Sequence, residues 1–318
     1  MLPIHGAIRL PQISTEGQKL PTGVMQSISE MTVAEARAQE KASLLARVAV
    51  PEPVAEVTDF SIPGPGGPIA ARMYRPAVLA RPAPTLVWFP GGGWVLGSLA
   101  AADLVCRKLA NETPCAVVAV EYRQAPEHRF PAAVDDCLAA TGWVADHADR
   151  LDVDATRIAI GGASAGGNLA AVVAHLARDQ GGPSLVFQML VYPATDHRAR
   201  GDTSARGAFD RADADWCWSH YLGEASGDDP RASPLRASDF RRLPPALVVA
   251  AVHDPLREEG ELYAEALVSA GVEVERASYE DVHGFFSTPG SAVSDAARAR
   301  VVDALRSAFG DGVTGSAQ

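Results

Sequence analysis

From about residue 50 onward, short runs rich in Val, Ile, Leu and Ala alternate with stretches in which apolar residues return every third or fourth position. The first pattern marks β-strands and the second amphipathic helices. Strands are expected at 55–61, 69–74, 85–89, 116–122, 157–161, 185–191, 246–252 and 272–279, and helices at 102–111, 132–148, 169–178, 258–270 and 294–309. Alternation of this kind specifies an α/β chain: a mostly parallel eight-stranded sheet with helices on both faces. The first two strands flank Gly64-Pro65-Gly66-Gly67-Pro68, a tight-turn composition, so the sheet is expected to open with an antiparallel hairpin.

Two segments stand outside the alternation. Residues 1–50 are mostly polar and hold one helix signal, the capping box at Thr32-Val33-Ala34-Glu35, followed by apolar positions at Leu44, Leu45 and Val48. Residues 195–225 interrupt the pattern between two strands and carry Phe209, Trp216, Trp218 and Tyr221 among many charges. An insertion of this length on the C-terminal side of a sheet strand reads as a lid. The expected division is therefore a core of 51–194 and 226–318, with 1–50 and 195–225 outside it.

Composition narrows the function. A chain of 318 residues with 47% hydrophobic residues can bury a large core. Its formal net charge of −11, with lysine only at Lys19, Lys41 and Lys108, argues against nucleic acid or an anionic membrane as partner and for a small neutral substrate. The first 24 residues carry Pro3, Gly6, Pro11, Gly17, Pro21 and Gly23 in place of a signal-peptide core, and no apolar run approaches a membrane span. A cytoplasmic location is expected. Cys106, Cys115, Cys137 and Cys217 lack CxxC spacing, and the histidines form neither HxH nor HExxH, so no disulfide framework, metal or cofactor is expected.

The chemistry is concentrated in a few short motifs. Gly162-Ala163-Ser164-Ala165-Gly166 lies directly between a strand signal and a helix signal, as in a nucleophile elbow, where a serine at a sharp turn needs small residues two before and two after it. Such a serine requires a base, an acid to orient the base, and donors for the oxyanion. In elbow hydrolases the partners follow in the order Asp or Glu, then His, on loops after later strands. Asp254 and His283 occupy those positions, whereas Glu258, Asp281 and His253 fit order and position less well. The amide of Ala165 and amides of the loop Pro90-Gly91-Gly92-Gly93-Trp94 are the candidate oxyanion donors. A phosphate-binding reading of that loop finds neither GxGxxG nor GxxxxGKS/T.

Taken jointly, four segments resemble the bacterial branch of the hormone-sensitive-lipase family of α/β-hydrolases. They are Phe89-Pro90-Gly91-Gly92-Gly93-Trp94, the run from Tyr122-Arg123-Gln124-Ala125-Pro126-Glu127 to Asp135-Asp136, Gly162-Ala163-Ser164-Ala165-Gly166-Gly167, and Asp254-Pro255-Leu256-Arg257 with His283-Gly284-Phe285. The resemblance implies an α/β-hydrolase fold with a helical cap built from the N-terminal segment and the 195–225 insertion. It also implies a serine carboxylesterase acting on short- to medium-chain acyl esters, with a triad at Ser164, Asp254 and His283 and oxyanion amides at Gly92, Gly93 and Ala165. Trp94 and the cap aromatics Phe209 and Trp216 are then the candidates for contact with substrate.

The sequence departs from that family at Pro90, where the family has His, and at Ala163, where it often has Asp. Proline fixes φ and removes a backbone donor, so the glycine loop is expected to be held by a stiffer chain instead of a side-chain bond. Two other readings stay open at this stage: a lyase, cyclase or acyl-transfer enzyme using the same site, and a non-catalytic small-molecule receptor. The eighth strand offers an edge at which a second copy could pair as a homodimer. The natural ester is not legible in the sequence.

Overall fold

The computed structural model of the protein describes residues 27–46, 51–199, 201, 207 and 209–310. Val48 and the remainder of the 1–50 segment, with 200, 202–206 and 208 of the insertion, lie outside the described residues.

In chain order the elements are α1 (Val33–Ala46), β1 (Glu56–Gly64), β2 (Gly67–Arg75), β3 (Ala83–Phe89), α2 (Leu99–Glu112), β4 (Ala116–Glu121), α3 (Ala132–Asp146), α4 (Ala148–Leu151), β5 (Val153–Ala163), α5 (Ala165–Gln180), β6 (Leu185–Val191), α6 (Arg211–Leu222), β7 (Ala246–His253), α7 (Arg257–Ser269), β8 (Val274–Val282) and α8 (Ala292–Ala308). One eight-stranded sheet runs in the order β1-β2-β4-β3-β5-β6-β7-β8. β2 is antiparallel to both β1 and β4, and every later pairing is parallel.

The side-chain period of two splits each central strand between two cores. Val87 and Phe89 pack with Val134 of α3, Leu169 of α5 and Tyr263 of α7 on one face. Leu86 and Trp88 pack with Val105 and Leu109 of α2 and with Val301 and Leu305 of α8 on the other. Burial on both faces is why β3 reads Ala-Pro-Thr-Leu-Val-Trp-Phe, buried throughout, without alternation. No helix among the described residues is long and apolar enough to cross a membrane.

The differences from the expected elements have local causes. β5 begins at Val153, not 157, because Val153 pairs with Ala83 at the start of β3 and a register irregularity before Thr85 and Ile158 accommodates Asp154 to Arg157. The expected helix 132–148 is two helices, α3 and α4. Val272 donates to the carbonyl of Leu267 as part of the α7 cap, which delays β8 to Val274. In α1 the capping box forms, with the Thr32 amide donating to Glu35 Oε2 at 2.8 Å and the Glu35 amide to Thr32 Oγ1 at 3.3 Å. Its buried residue, however, is Ala36, while Leu45 is 77% exposed. The apolar positions at the end of that helix therefore do not mark its packed face.

Candidate active site

A parallel sheet sends all its strand C-termini to one edge, and the chain turns there into the loops that carry function. β5 ends in the sharp turn to α5, with Ser164 at its tip in the backbone conformation φ 56°, ψ −120°. That region is unfavourable for a residue with a side chain and persists only where the surroundings enforce it. Here the Ser164 amide donates to the Val191 carbonyl of β6 at 2.9 Å, and its carbonyl accepts from Asn168 at 3.0 Å. A Cβ on Gly166 would collide with the carbonyl of Phe89, and one on Gly162 with the backbone of Gly166, so the turn closes only with glycine at both positions.

Asp254, following β7, is fully buried; its Oδ1 accepts the Leu256 amide at 2.8 Å. Its Oδ2 lies 2.7 Å from Nδ1 of His283, which follows β8 and is 10% exposed. Because the carboxylate can only accept, Nδ1 carries the proton, and Nε2 is left to accept from the Ser164 hydroxyl 3.0 Å away. Serine, imidazole and carboxylate thus form one continuous hydrogen-bonded line from three strand ends. The rivals stand apart from it: His253 pairs with Glu280 at 2.8 Å on the surface, Asp281 accepts the Val282 amide at 2.8 Å, and Glu258 is exposed.

This geometry agrees with comparisons to known proteins. A family model described as an alpha/beta hydrolase fold matches residues 86–287. The carboxylic ester hydrolase LipN of Mycobacterium tuberculosis is 46% identical over 246 residues, covering 73% of this chain and 65% of LipN. The esterase LipI of the same organism is 42% identical over 255 residues, covering 75% of this chain and 77% of LipI. Among solved structures, the Pyrobaculum calidifontis esterase superposes with a TM-score of 0.81 at 42% identity, covering 88% of this chain and 94% of that one. The chain belongs to the hormone-sensitive-lipase-like carboxylesterases of the α/β-hydrolase fold.

The glycine loop of this carboxylesterase follows β3 and is held by side chains as well as by proline. The Tyr122 hydroxyl donates to the Pro90 carbonyl at 2.7 Å, which corrects the expectation that the loop is held by a stiffer chain instead of a side-chain bond. Gln124 Nε2 donates to the carbonyls of Leu96 and Gly97 at 2.8 and 2.6 Å, and the Ala125 amide to that of Trp94 at 2.9 Å. Gly93 has φ 59°, and a Cβ there would run into Cys217 Sγ on α6, so the loop lies directly beneath that helix.

The aromatic candidates divide. Phe209 lies against the His283 ring, with centroids 4.4 Å apart and planes 26° apart. Tyr192, which sequence reasoning passed over, touches the same imidazole at 4.7 Å, and burial raises its phenol above the usual range. Trp94 is 2% exposed and stacked on Tyr221, with centroids 4.3 Å apart. Trp216 ties α6 to the N-terminal segment by donating from Nε1 to the Met31 carbonyl at 3.2 Å. Two further residues escaped the sequence: Asn168, whose amide donates to the carbonyls of Ala194 and Ala232 at 2.8 Å, and Glu259, which accepts the Thr195 amide at 2.7 Å. Both anchor the roots of the insertion to the core.

Proposed function

We propose that this carboxylesterase cleaves short- to medium-chain acyl esters by a two-step acyl-enzyme mechanism at Ser164. The reading is carried by one observation, the contact line from Ser164 Oγ through His283 to Asp254 at 3.0 and 2.7 Å. His283 Nε2 takes the hydroxyl proton as Ser164 attacks the ester carbonyl, and Asp254 holds the imidazole and stabilises its charged form. The amides of Gly92, Gly93 and Ala165 receive the oxyanion, each contributing about 3 kcal/mol to the transition state. His283 then passes its proton to the departing alkoxide, and a water activated by the same imidazole releases the acid. The N-terminal segment and the 195–225 insertion form the cap over this site, with Phe209 as the cap residue nearest the reacting atoms.

Ser164→Ala is expected to abolish hydrolysis of p-nitrophenyl butyrate while leaving the melting temperature within a few degrees of the parent. Turnover at the parental rate would overturn the assignment. A series of p-nitrophenyl esters of increasing acyl length is expected to peak in kcat/KM at short to medium chains; a maximum at long chains would reject that substrate class.

A further inference from the structure

Arg37 and Glu40 lie three residues apart on α1, one turn along the same helix face. Both reach the far end of the glycine loop. Arg37 Nε donates to the Val95 carbonyl at 3.1 Å, Nη2 donates to the Ala125 carbonyl at 2.9 Å, and the guanidinium forms a two-pronged pair with Glu127 at 2.6 and 2.8 Å. The Glu40 carboxylate accepts the Gly97 amide at 3.1 and 3.2 Å. The ion pair itself is a third to just over a half exposed, so solvent screens it and it adds little to stability. What the arrangement does is place backbone.

The segment being placed sets the direction of a catalytic amide. Val95 and Leu96 donate their amides to the Gly92 carbonyl at 3.1 and 2.7 Å. A trans peptide is planar and holds its C=O and N–H antiparallel. Fixing the Gly92 carbonyl toward residues 95 and 96 therefore fixes the Gly93 N–H in the opposite direction. Arg37 grips the Val95 carbonyl, which shares a peptide unit with the Leu96 donor, and Glu40 grips the Gly97 amide in the next peptide unit.

We propose that Arg37 and Glu40 are positioning residues for the oxyanion amides, so that α1 is a working part of the esterase site and not only a cover. The inference rests on the function proposed above. An interaction that matters only in the transition state lowers kcat with little change in KM. In the full-length protein, Glu40→Ala and Arg37→Met are each expected to lower kcat on p-nitrophenyl butyrate by about tenfold, with KM changed less than about twofold. Glu40→Gln keeps an acceptor oxygen for the Gly97 amide and is expected to recover most of the loss. The rate of Ser164 labelling by a fluorophosphonate, which also loads the oxyanion amides, is expected to fall in parallel.

Melting temperatures identify variants folded at the assay temperature; if Arg37→Met is unfolded there, Glu40→Ala against Glu40→Gln decides. The proposal is overturned if folded variants keep parental kcat and labelling rates, if KM rises while kcat holds, or if Glu40→Gln loses as much as Glu40→Ala. A parent protein that neither turns over ester nor takes the label overturns the functional reading, and the positioning role with it.

Discussion

In the glycine loop beside Ser164, Gly93 is limited both by its backbone and by its neighbour. Its φ of 59° is disfavoured for any residue with a Cβ, and the space such a Cβ would fill is taken by Cys217 Sγ. Gly93→Ala must therefore rotate or displace the peptide whose amide is proposed to receive the oxyanion. Loss of one such donor costs about a hundredfold or more in kcat, so that is the expected outcome, with KM nearly unchanged. Steady-state kinetics check it, and a kcat within about threefold of the parent would remove Gly93 from the oxyanion site. Ser164, Asp254 and His283 were legible because each obeys a local motif or a chain-order rule. Tyr122, Gln124, Arg37 and Glu40 were not legible as loop supports. The contact from Arg37 to Val95, for example, spans 58 positions, and no local spacing encodes which carbonyl a distant guanidinium meets.

At the level of elements, the parallel strands deliver the reacting side chains and the insertion supplies what presses on them. Phe209, just ahead of the capping box that starts α6, lies against the His283 ring, and Asp213 of that box also accepts the Ser29 amide at 2.9 Å. One helix start is thus tied to the N-terminal segment, while the residue before its cap packs on the His283 ring. Ring contacts of this kind contribute about 1 kcal/mol, so Phe209→Ala is expected to lower kcat/KM by about fivefold at the pH optimum. An unchanged kcat/KM across acyl lengths would show that the ring neither restrains His283 nor meets substrate. The order of strands and helices was legible from periodicity. The packing of α1 was not, because a helix that buries only Ala36 presents no apolar stripe for the pattern to reveal.

For the whole molecule, two buried titratable groups shape stability against pH. Burial raises Glu259 from its ordinary 4.5 to about 8, so its neutral form is favoured in the fold and its contribution is lost as pH rises from 4.5 to 8. Burial lowers His175 from 6.5 to about 4, so its contribution is present above 6.5 and lost as pH falls toward 4. Between pH 4.5 and 6.5 the two slopes oppose each other, and above 6.5 the glutamate acts alone. Between pH 6.5 and 8 these groups are expected to lower stability by about 2 kcal/mol. Glu259→Gln keeps an acceptor for the Thr195 amide without a titrating proton, and is expected to abolish that fall in denaturant melts across the same window. A variant that retains the parental slope would locate the titrating group elsewhere.

The sequence by itself determined the layered α/β architecture, the nucleophile elbow and the order of the three chemical side chains. These follow from periodicities and turn requirements that act over a few residues. Only the tertiary structure decided that Tyr122 holds Pro90, that α1 reaches the glycine loop, and that Trp94 stacks on Tyr221 while Phe209 meets the imidazole. Those outcomes depend on which surfaces the folded sheet and its helices bring within hydrogen-bond or van der Waals reach, and such distances are properties of the packed molecule, not of spacing along the chain.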